Sequence, residues 1–380
     1  MKKIGILTVF TGYNYGSLLQ AYSTQEVLKQ LGYQPSLVWD KEGLIKGRDV
    51  RIKKILAMAF RALIQPKAFR EGIASYKSAN NQRVLDESKK KFDEFTKNYL
   101  KIERYSYSKL KKTANTKEYH AFVCGSDQIW NSKAVYVDPL YYLRFVPNNK
   151  KIAYAPSFGK EEIPDYNREK RKNYLQDFKK ISIREQKGKE LIKDLINKDV
   201  PVVIDPTLLL DGEYWRSLSK PLNLEPYILF YFLSEPSKET IEKLKKLETY
   251  LNKKVVIPSI SDWHHELYKV ESMPTGPLEF ISLIKNAVFV CTDSFHGMAY
   301  SINLNIPFLI FKRNHGKASD QSSRISSLLN ILGLDNRFVS NGKLDLENID
   351  IVDFNQSNNT LAKERDKGLL YLEQALEECN

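Results

Sequence analysis

The stretch Val288-Phe-Val-Cys-Thr-Asp-Ser-Phe-His-Gly-Met-Ala-Tyr300 decides the fold. A short apolar run ends in Thr292-Asp293-Ser294, which are small and polar, and a helix-like sequence follows. A buried strand that hands over to a helix within a few residues is half of a βαβ unit. Such units build parallel sheets with helices on both faces. His296 stands at the handover. In open α/β sheets, ligands bind beyond the carboxyl ends of the strands, and the free N–H groups of the next helix attract anions there. A histidine at that point can carry a proton near neutral pH. The competing reading is a core histidine satisfied by one backbone hydrogen bond. The small and polar neighbours favour an open polar pocket.

The same pattern recurs along the chain. Residues 4–10 read as a first buried strand, 12–17 as a loop, 18–31 as an amphipathic helix closed by Gly32, and 35–39 as a second strand. Residues 43–101 are helix-rich, basic and poor in strand signals, and read as a helical insertion. Further strands are expected at 120–124, 151–155 and 202–204, with 182–185 on a strand or strand end. A second series begins near Pro226, with strands at 227–233, 255–257, 287–291 and 308–311 and helices between them. Helices are expected over 323–332 and 362–378, and a polar loop at 355–359. The expected fold is therefore α/β, with two Rossmann-like domains. The first is residues 1–215 with its insertion near 43–101. The second is residues 216–380 with the terminal helices. Pro206, Pro221 and Pro226 punctuate the junction.

Composition narrows the function. With 42% hydrophobic and 28% charged residues, the chain of 380 residues is globular and long enough for two cores. Its formal net charge of +13 suits nucleic acid, anionic lipid or a phosphorylated substrate. Much of that excess lies in helix-like stretches, 48–67 and 89–101, which are either solvated faces or a docking surface for an anionic membrane leaflet. No RNP, zinc-finger or helix-turn-helix signature is present, so no nucleic-acid partner is expected. Three widely spaced cysteines, Cys124, Cys291 and Cys379, argue against a disulfide framework and fit a reducing cytoplasm. No CxxC or His/Cys cluster has zinc spacing, and His264-His265 reads as a solvated loop, so no metal is expected. No run approaches the ~20 apolar residues that span a bilayer.

Four strand-end loops carry candidate chemistry: 12–17, 125–131, 182–185 and 293–297. Strand ends share one edge of a parallel sheet, so such loops can converge. The first, Gly12-Tyr-Asn-Tyr-Gly-Ser17, is either a phosphate- or sugar-binding loop or a tight turn with Ser17 as N-cap. It is not GxGxxG, so a dinucleotide fingerprint is absent. Asp127, directly after Gly125-Ser126, is either a general base or a capping or salt-bridge carboxylate. Trp130 either walls the site or fills a core. Arg184 either grips phosphate or carboxylate with its forked donors, or pairs with Glu185 or another acid.

Taken in order, these stretches resemble the polysaccharide pyruvyl transferase family. The matching segments are Asn14-Tyr-Gly16 with Leu18-Leu-Gln-Ala-Tyr22, Gly125-Ser-Asp-Gln-Ile-Trp-Asn131, Tyr154-Ala-Pro-Ser-Phe-Gly159, Ser182-Ile-Arg-Glu185, Asp205-Pro-Thr207 and Ser294-Phe-His-Gly297. They run from the first residues to about residue 335. The resemblance implies a fold like that of GT-B glycosyltransferases, two Rossmann-like domains facing across a cleft. It implies transfer of pyruvate from phosphoenolpyruvate to a sugar as a ketal, with no cofactor. It implies His296 and Asp127 as catalytic residues. It implies Arg184, Ser294, Gly297, Arg324, Asn14, Gly16, Ser17 and Gln128 as substrate-binding residues. Its partners would be phosphoenolpyruvate and a glycan acceptor carried on a lipid, with contact at the cytoplasmic face of a membrane. Two positions depart from the family pattern. Many members carry arginine two residues before the histidine, where this chain has Ser294. Many carry an acid after the first-loop glycine, where it has Ser17. Arg324 or Arg313 would then supply the missing charge. A glycosyltransferase using a nucleotide-sugar and a non-catalytic glycan-binding relative are the other readings.

Overall fold

A computed structural model describes residues 1–40, 52–66, 69–70, 85–132, 134–258, 273–313, 323–339, 346, 349 and 352–379. His264-His265 lies outside the described residues. In chain order, the first elements are β1 (Lys3–Leu7), α1 (Tyr15–Gln30), β2 (Gln34–Asp40), α2 (Ile52–Ile64), α3 (Asp86–Tyr99), β3 (Ile102–Tyr105), α4 (Tyr107–Ala114) and β4 (Tyr119–Cys124). Then follow β5 (Lys151–Ala153), α5 (Asp165–Leu175), β6 (Lys180–Ile181), α6 (Gln186–Ile196), α7 (Pro206–Leu209) and α8 (Gly212–Leu218). The rest are β7 (Tyr227–Tyr231), α9 (Lys238–Leu251), β8 (Lys254–Val256), α10 (Pro277–Asn286), β9 (Phe289–Thr292), α11 (Phe295–Leu304), β10 (Phe308–Phe311), α12 (Ser323–Leu332), β11 (Phe338–Val339) and α13 (Phe354–Glu377).

Two sheets form, and every pairing in both is parallel. The first runs β3-β2-β1-β4-β5-β6 and the second β8-β7-β9-β10-β11. Both are doubly wound orders, in which the chain reverses direction once. The reversal lies between β1 and β4 in the first sheet and between β7 and β9 in the second. At such a point the helices on the two sides diverge and leave a crevice at the carboxyl ends. Continuous apolar strands explain why these sheets are parallel: Tyr227–Tyr231, Phe289–Thr292 and Phe308–Phe311 are buried at every position. Trp130 fills a core. It is fully buried, stacks on Tyr142 at 5.2 Å and donates its indole N–H to the Tyr141 carbonyl.

The chain divides into two units, one of Met1–Asn81, Tyr99–Leu209 and Glu364–Asn380, the other of Gln82–Asn98 and Leu210–Lys363. This differs from a single break at 215/216. The tail from Glu364 belongs with the first sheet because its polar groups are spent there. Tyr371 donates its hydroxyl to the Ala153 carbonyl, Arg365 Nε to Leu208, and His120 Nε2 meets the Leu376 carbonyl at 2.8 Å. Part of the expected helical insertion belongs with the second sheet. Thr275 N donates to Ser88 Oγ, and Lys91 Nζ to the Pro274 carbonyl. The loop expected at 355–359 is the first turn of α13, since Asp353 Oδ1 accepts from Asn355 N and Gln356 N and starts the helix. The three cysteines are buried and none is in a disulfide. Among the described residues, no helix is long and apolar enough to cross a membrane.

Candidate active site

In the first unit the reversal between β1 and β4 carries a polar network. The cap of α1 is Asn14, not Ser17: Asn14 has extended backbone, and its Oδ1 accepts from Ser17 N at 3.0 Å. The helix therefore starts three residues before the expected Leu18, and Gly16 lies buried in its first turn. This frees the Ser17 hydroxyl to donate to Asp127 Oδ2 at 2.8 Å, across the switch point. Asp127 follows Gly125, where an added Cβ would lie 2.0 Å from the Tyr154 carbonyl oxygen. Only glycine lets that backbone pass so close. Asp127 itself takes left-handed backbone, and its Oδ1 accepts from Gln128 N. The Gln128 side chain packs on Gly159, where a Cβ would sit 2.7 Å from Gln128 Cδ.

Arg184 is buried just past β6, and its partner is Asp205. Arg184 Nη1 to Asp205 Oδ2 is 2.6 Å, while Arg184 Nη2 lies 3.9 Å from Asp127 Oδ1. Of the acids expected to pair with Arg184, Glu185 or another, it is Asp205 that does so. Glu185 Oε1 instead accepts from Ser157 Oγ, Phe158 N and Gly159 N. Burial pushes the Glu185 carboxyl up, and the Arg184 charge and those donors do not reverse it. For Arg184, burial pulls the pKa down, but Asp205, Asp127 and Glu185 outweigh it and hold the guanidinium above its ordinary value.

The sequence does not single out Asp205 of the Asp-Pro-Thr turn, yet it is the hub of this network. It is fully buried. Its Oδ2 accepts from Arg184 and from Ser126 Oγ at 2.7 Å, and its Oδ1 from Thr207 N and Thr207 Oγ1. Ser126 also receives help: its N–H donates to Gln20 Oε1, and Gln20 Nε2 donates to Thr8 Oγ1. The signal available in the sequence was the Asp-Pro-Thr turn itself, an acid whose side chain bonds two residues ahead. Its partners 21 and 79 residues away were not legible.

In the second unit the reversal between β7 and β9 carries Asp293. Its carboxylate accepts from Leu233 N at 2.6 Å and Ser234 N at 3.1 Å, closing the gap between the two strand ends. Arg313, just past β10, approaches Asp293 Oδ2 with Nε at 3.3 Å and donates Nη2 to the Asp293 carbonyl at 3.2 Å. One carboxylate thus ties three strand ends together. Burial raises its pKa, and Arg313 with the two backbone N–H groups offsets this only in part. Ser294 is the N-cap of α11, accepting from Gly297 N. His296 is the second residue of that helix and 7% exposed. Gly297 admits Thr292 and Tyr231: a Cβ there would lie 2.6 Å from Thr292 Oγ1 and 3.1 Å from the Tyr231 ring. Arg324, at the start of α12, is buried with its guanidinium 5.8 Å from the Phe295 ring centre. Both arginines expected to replace a charge at position 294 therefore lie against the turn that carries His296.

These strand orders and strand-end groups define a doubly wound α/β protein with an acid–base residue in the first turn of a helix. The chain belongs to the polysaccharide pyruvyl transferase family, a family of enzymes, whose model matches residues 14–315. No curated protein matches it. Among solved structures it is similar to MurG of Acinetobacter baumannii, with 10% identity, TM-score 0.46 and 99% of each chain covered. It is also similar to a UDP-N-acetylglucosamine 2-epimerase from Rickettsia bellii, with 12% identity, TM-score 0.49, and 99% of this chain and 97% of that one covered. S. aureus MnaA, solved with UDP, has 12% identity and TM-score 0.48, with 99% and 91% covered. At these scores the two parallel sheets, not the likenesses, define the fold.

Proposed function

We propose that the chain moves pyruvate from phosphoenolpyruvate onto a sugar of a cell-surface or exopolysaccharide precursor and closes it as a ketal. The observation that carries this reading is the position of His296 within the family match. It sits in the first turn of α11, beside a strand-end carboxylate that holds Arg313. Phosphoenolpyruvate is an enol phosphate with a carboxylate, so it asks for one proton and several cationic or N–H donors.

The chemistry balances without water. His296 gives a proton to the methylene carbon of the donor, and the adjacent carbon becomes electrophilic. One sugar hydroxyl adds there and loses its proton. The C–O bond to phosphate breaks, and a second hydroxyl closes the ring as inorganic phosphate leaves with a proton. In the second unit, Arg313, Arg324 and the α11 N–H groups near Ser294 and Gly297 would meet the phosphate and carboxylate. In the first unit, Asp127, held by Ser17 and flanked by Arg184, would take a hydroxyl proton of the acceptor. Asn14, Gly16 and Gln128 would border that hydroxyl. A lipid-linked acceptor would bring the protein to the cytoplasmic face of a membrane.

The test is incubation with phosphoenolpyruvate and lipid-linked glycans of the host, read as phosphate release and as a glycan mass gain equal to a pyruvate ketal. The expected result is both signals with the parent chain and neither with His296→Ala. Consumption of a nucleotide-sugar instead, or binding of the glycan without phosphate release, would overturn the reading.

A further inference from the structure

The helix α2 presents its apolar side outward. At 100° per residue, Ile52, Ile55, Leu56, Phe60, Leu63 and Ile64 fall on one face. A helix of a globular protein normally buries such a stripe. Here Ile52 is 61% exposed, Leu56 63%, Phe60 66% and Leu63 82%. These six are about half of the large apolar side chains exposed among the described residues, and the others are scattered from Met1 to Leu370. The polar side of the helix is the side that is held. Arg61 donates Nη1 to Asn167 Oδ1 at 3.0 Å and stacks its guanidinium 4.4 Å over the Tyr166 ring. A concentrated apolar face of this kind marks an interaction surface.

Charge selects the partner. From residue 50 to residue 70 the sequence carries Arg51, Lys53, Lys54, Arg61, Lys67 and Arg70 and no aspartate or glutamate. An apolar stripe inside a wholly basic segment matches a bilayer that offers hydrocarbon below and anionic headgroups above. A second copy of the chain would bring two such positive segments together and repel. The helix has 13 residues, about 20 Å at 1.5 Å per residue. That is short of the roughly 30 Å hydrocarbon core, so it would lie in the interface plane and not span.

We infer that α2 docks the protein on an anionic membrane surface, with Leu56, Phe60 and Leu63 entering the acyl boundary. The inference rests on the proposed function only for the reason a membrane would be needed, a lipid-linked acceptor. Vesicle binding is read without donor or acceptor, so the two readings fail separately.

The experiment is co-sedimentation of the full chain with two kinds of vesicle at physiological salt. One is phosphatidylcholine alone and the other is equal parts phosphatidylcholine and phosphatidylglycerol. The expected result is binding to the mixed vesicles and at least about tenfold less to phosphatidylcholine alone. The double variant Leu56→Asp with Leu63→Asp should lose about tenfold or more on mixed vesicles while its circular dichroism and Tm stay at the parent values. Phe60→Trp should bind as the parent does and shift its emission to the blue only with mixed vesicles. Three results would overturn the inference: a parent chain that binds neither vesicle, a double variant that binds as tightly as the parent, or a lipid-free dimer that the same double substitution splits.

Discussion

The two switch points solve the same problem with different materials. Between β1 and β4 the chain buries full charges: Arg184 on Asp205, with Asp127 close by and Ser17 reaching across. Between β7 and β9 it relies more on backbone: Asp293 accepts two loop N–H groups, Ser294 caps α11, and Arg313 pairs with Asp293. The first arrangement is a network of buried polar groups joined through Asp205 and Ser126, and such networks fix geometry. The second leaves His296 on a helix turn whose own groups are held by capping. The contrast suggests that variants in the first unit will show up in stability and acceptor handling, and variants in the second in the chemical step.

His296→Ala gives the largest effect that would sharpen this contrast. It should cost about 10²–10⁴-fold in phosphate release, as loss of a general acid does, with Tm nearly unchanged. A comparable fall in Tm would make His296 a packing residue and erase the difference between the units. Asp205→Ala is the counterpart. It strands the buried Arg184 and should destabilise by about 3–5 kcal/mol in denaturant unfolding, more than Asp205→Asn, which keeps one acceptor oxygen. If Asp205→Ala unfolds at the parent concentration of denaturant, Asp205 is not the hub of this network.

Gly297→Ala should cost about 1–3 kcal/mol, because its Cβ would meet Thr292 Oγ1 at 2.6 Å and the strand end below cannot yield freely. Thermal unfolding measures it directly, and a neutral outcome would mean that α11 can slide on β9. The smallest effect lies at the opposite edge of the first sheet, away from either switch point. There Glu103 accepts from Lys3, Tyr105 and Tyr119. Burial alone would raise its pKa, but those bonds outweigh it and bring the carboxyl down to about 2 from an ordinary 4.5. A depressed carboxylate contributes stability above its unfolded pKa and loses it as pH falls through the folded one. Tm should therefore drop between pH 4.5 and about 2, and Glu103→Gln should flatten part of that drop. Activity above pH 5 should be indifferent to this substitution.

Much of this was legible along the chain. The strand at Phe308–Phe311 and the helix at Ser323–Leu332 have the bounds that the apolar pattern predicts, and the helix that carries His296 starts one residue before the predicted start. Continuous apolar runs bounded by small polar residues give such signals locally. The edge strand β3 gave none. Its sequence Ile-Glu-Arg-Tyr is half exposed and charged, as an edge demands. The strand expected at 202–204 reduces to one bridge, Val202 with Ile183, because a parallel strand needs a neighbour in register and not only β-branched residues. A cap at Ser17, one of the two expectations for the first loop, gives way to Asn14, because both are good capping residues and the backbone of the turn decides between them.

The sequence by itself determined the α/β class, the strand-to-helix turn at His296 and the family, because these rest on apolar periodicity and on short motifs that fold close to where they are written. Tertiary structure alone decided the partners of the charges: which acid pairs with Arg184, namely Asp205, Ser17 for Asp127, and Arg313 for Asp293. It also decided which side of α2 faces out, since an amphipathic pattern reports a stripe but not what covers it. A buried charge takes the partner that the packing of distant strands delivers within hydrogen-bond reach, and that distance is set by the sheet order, not by spacing along the chain.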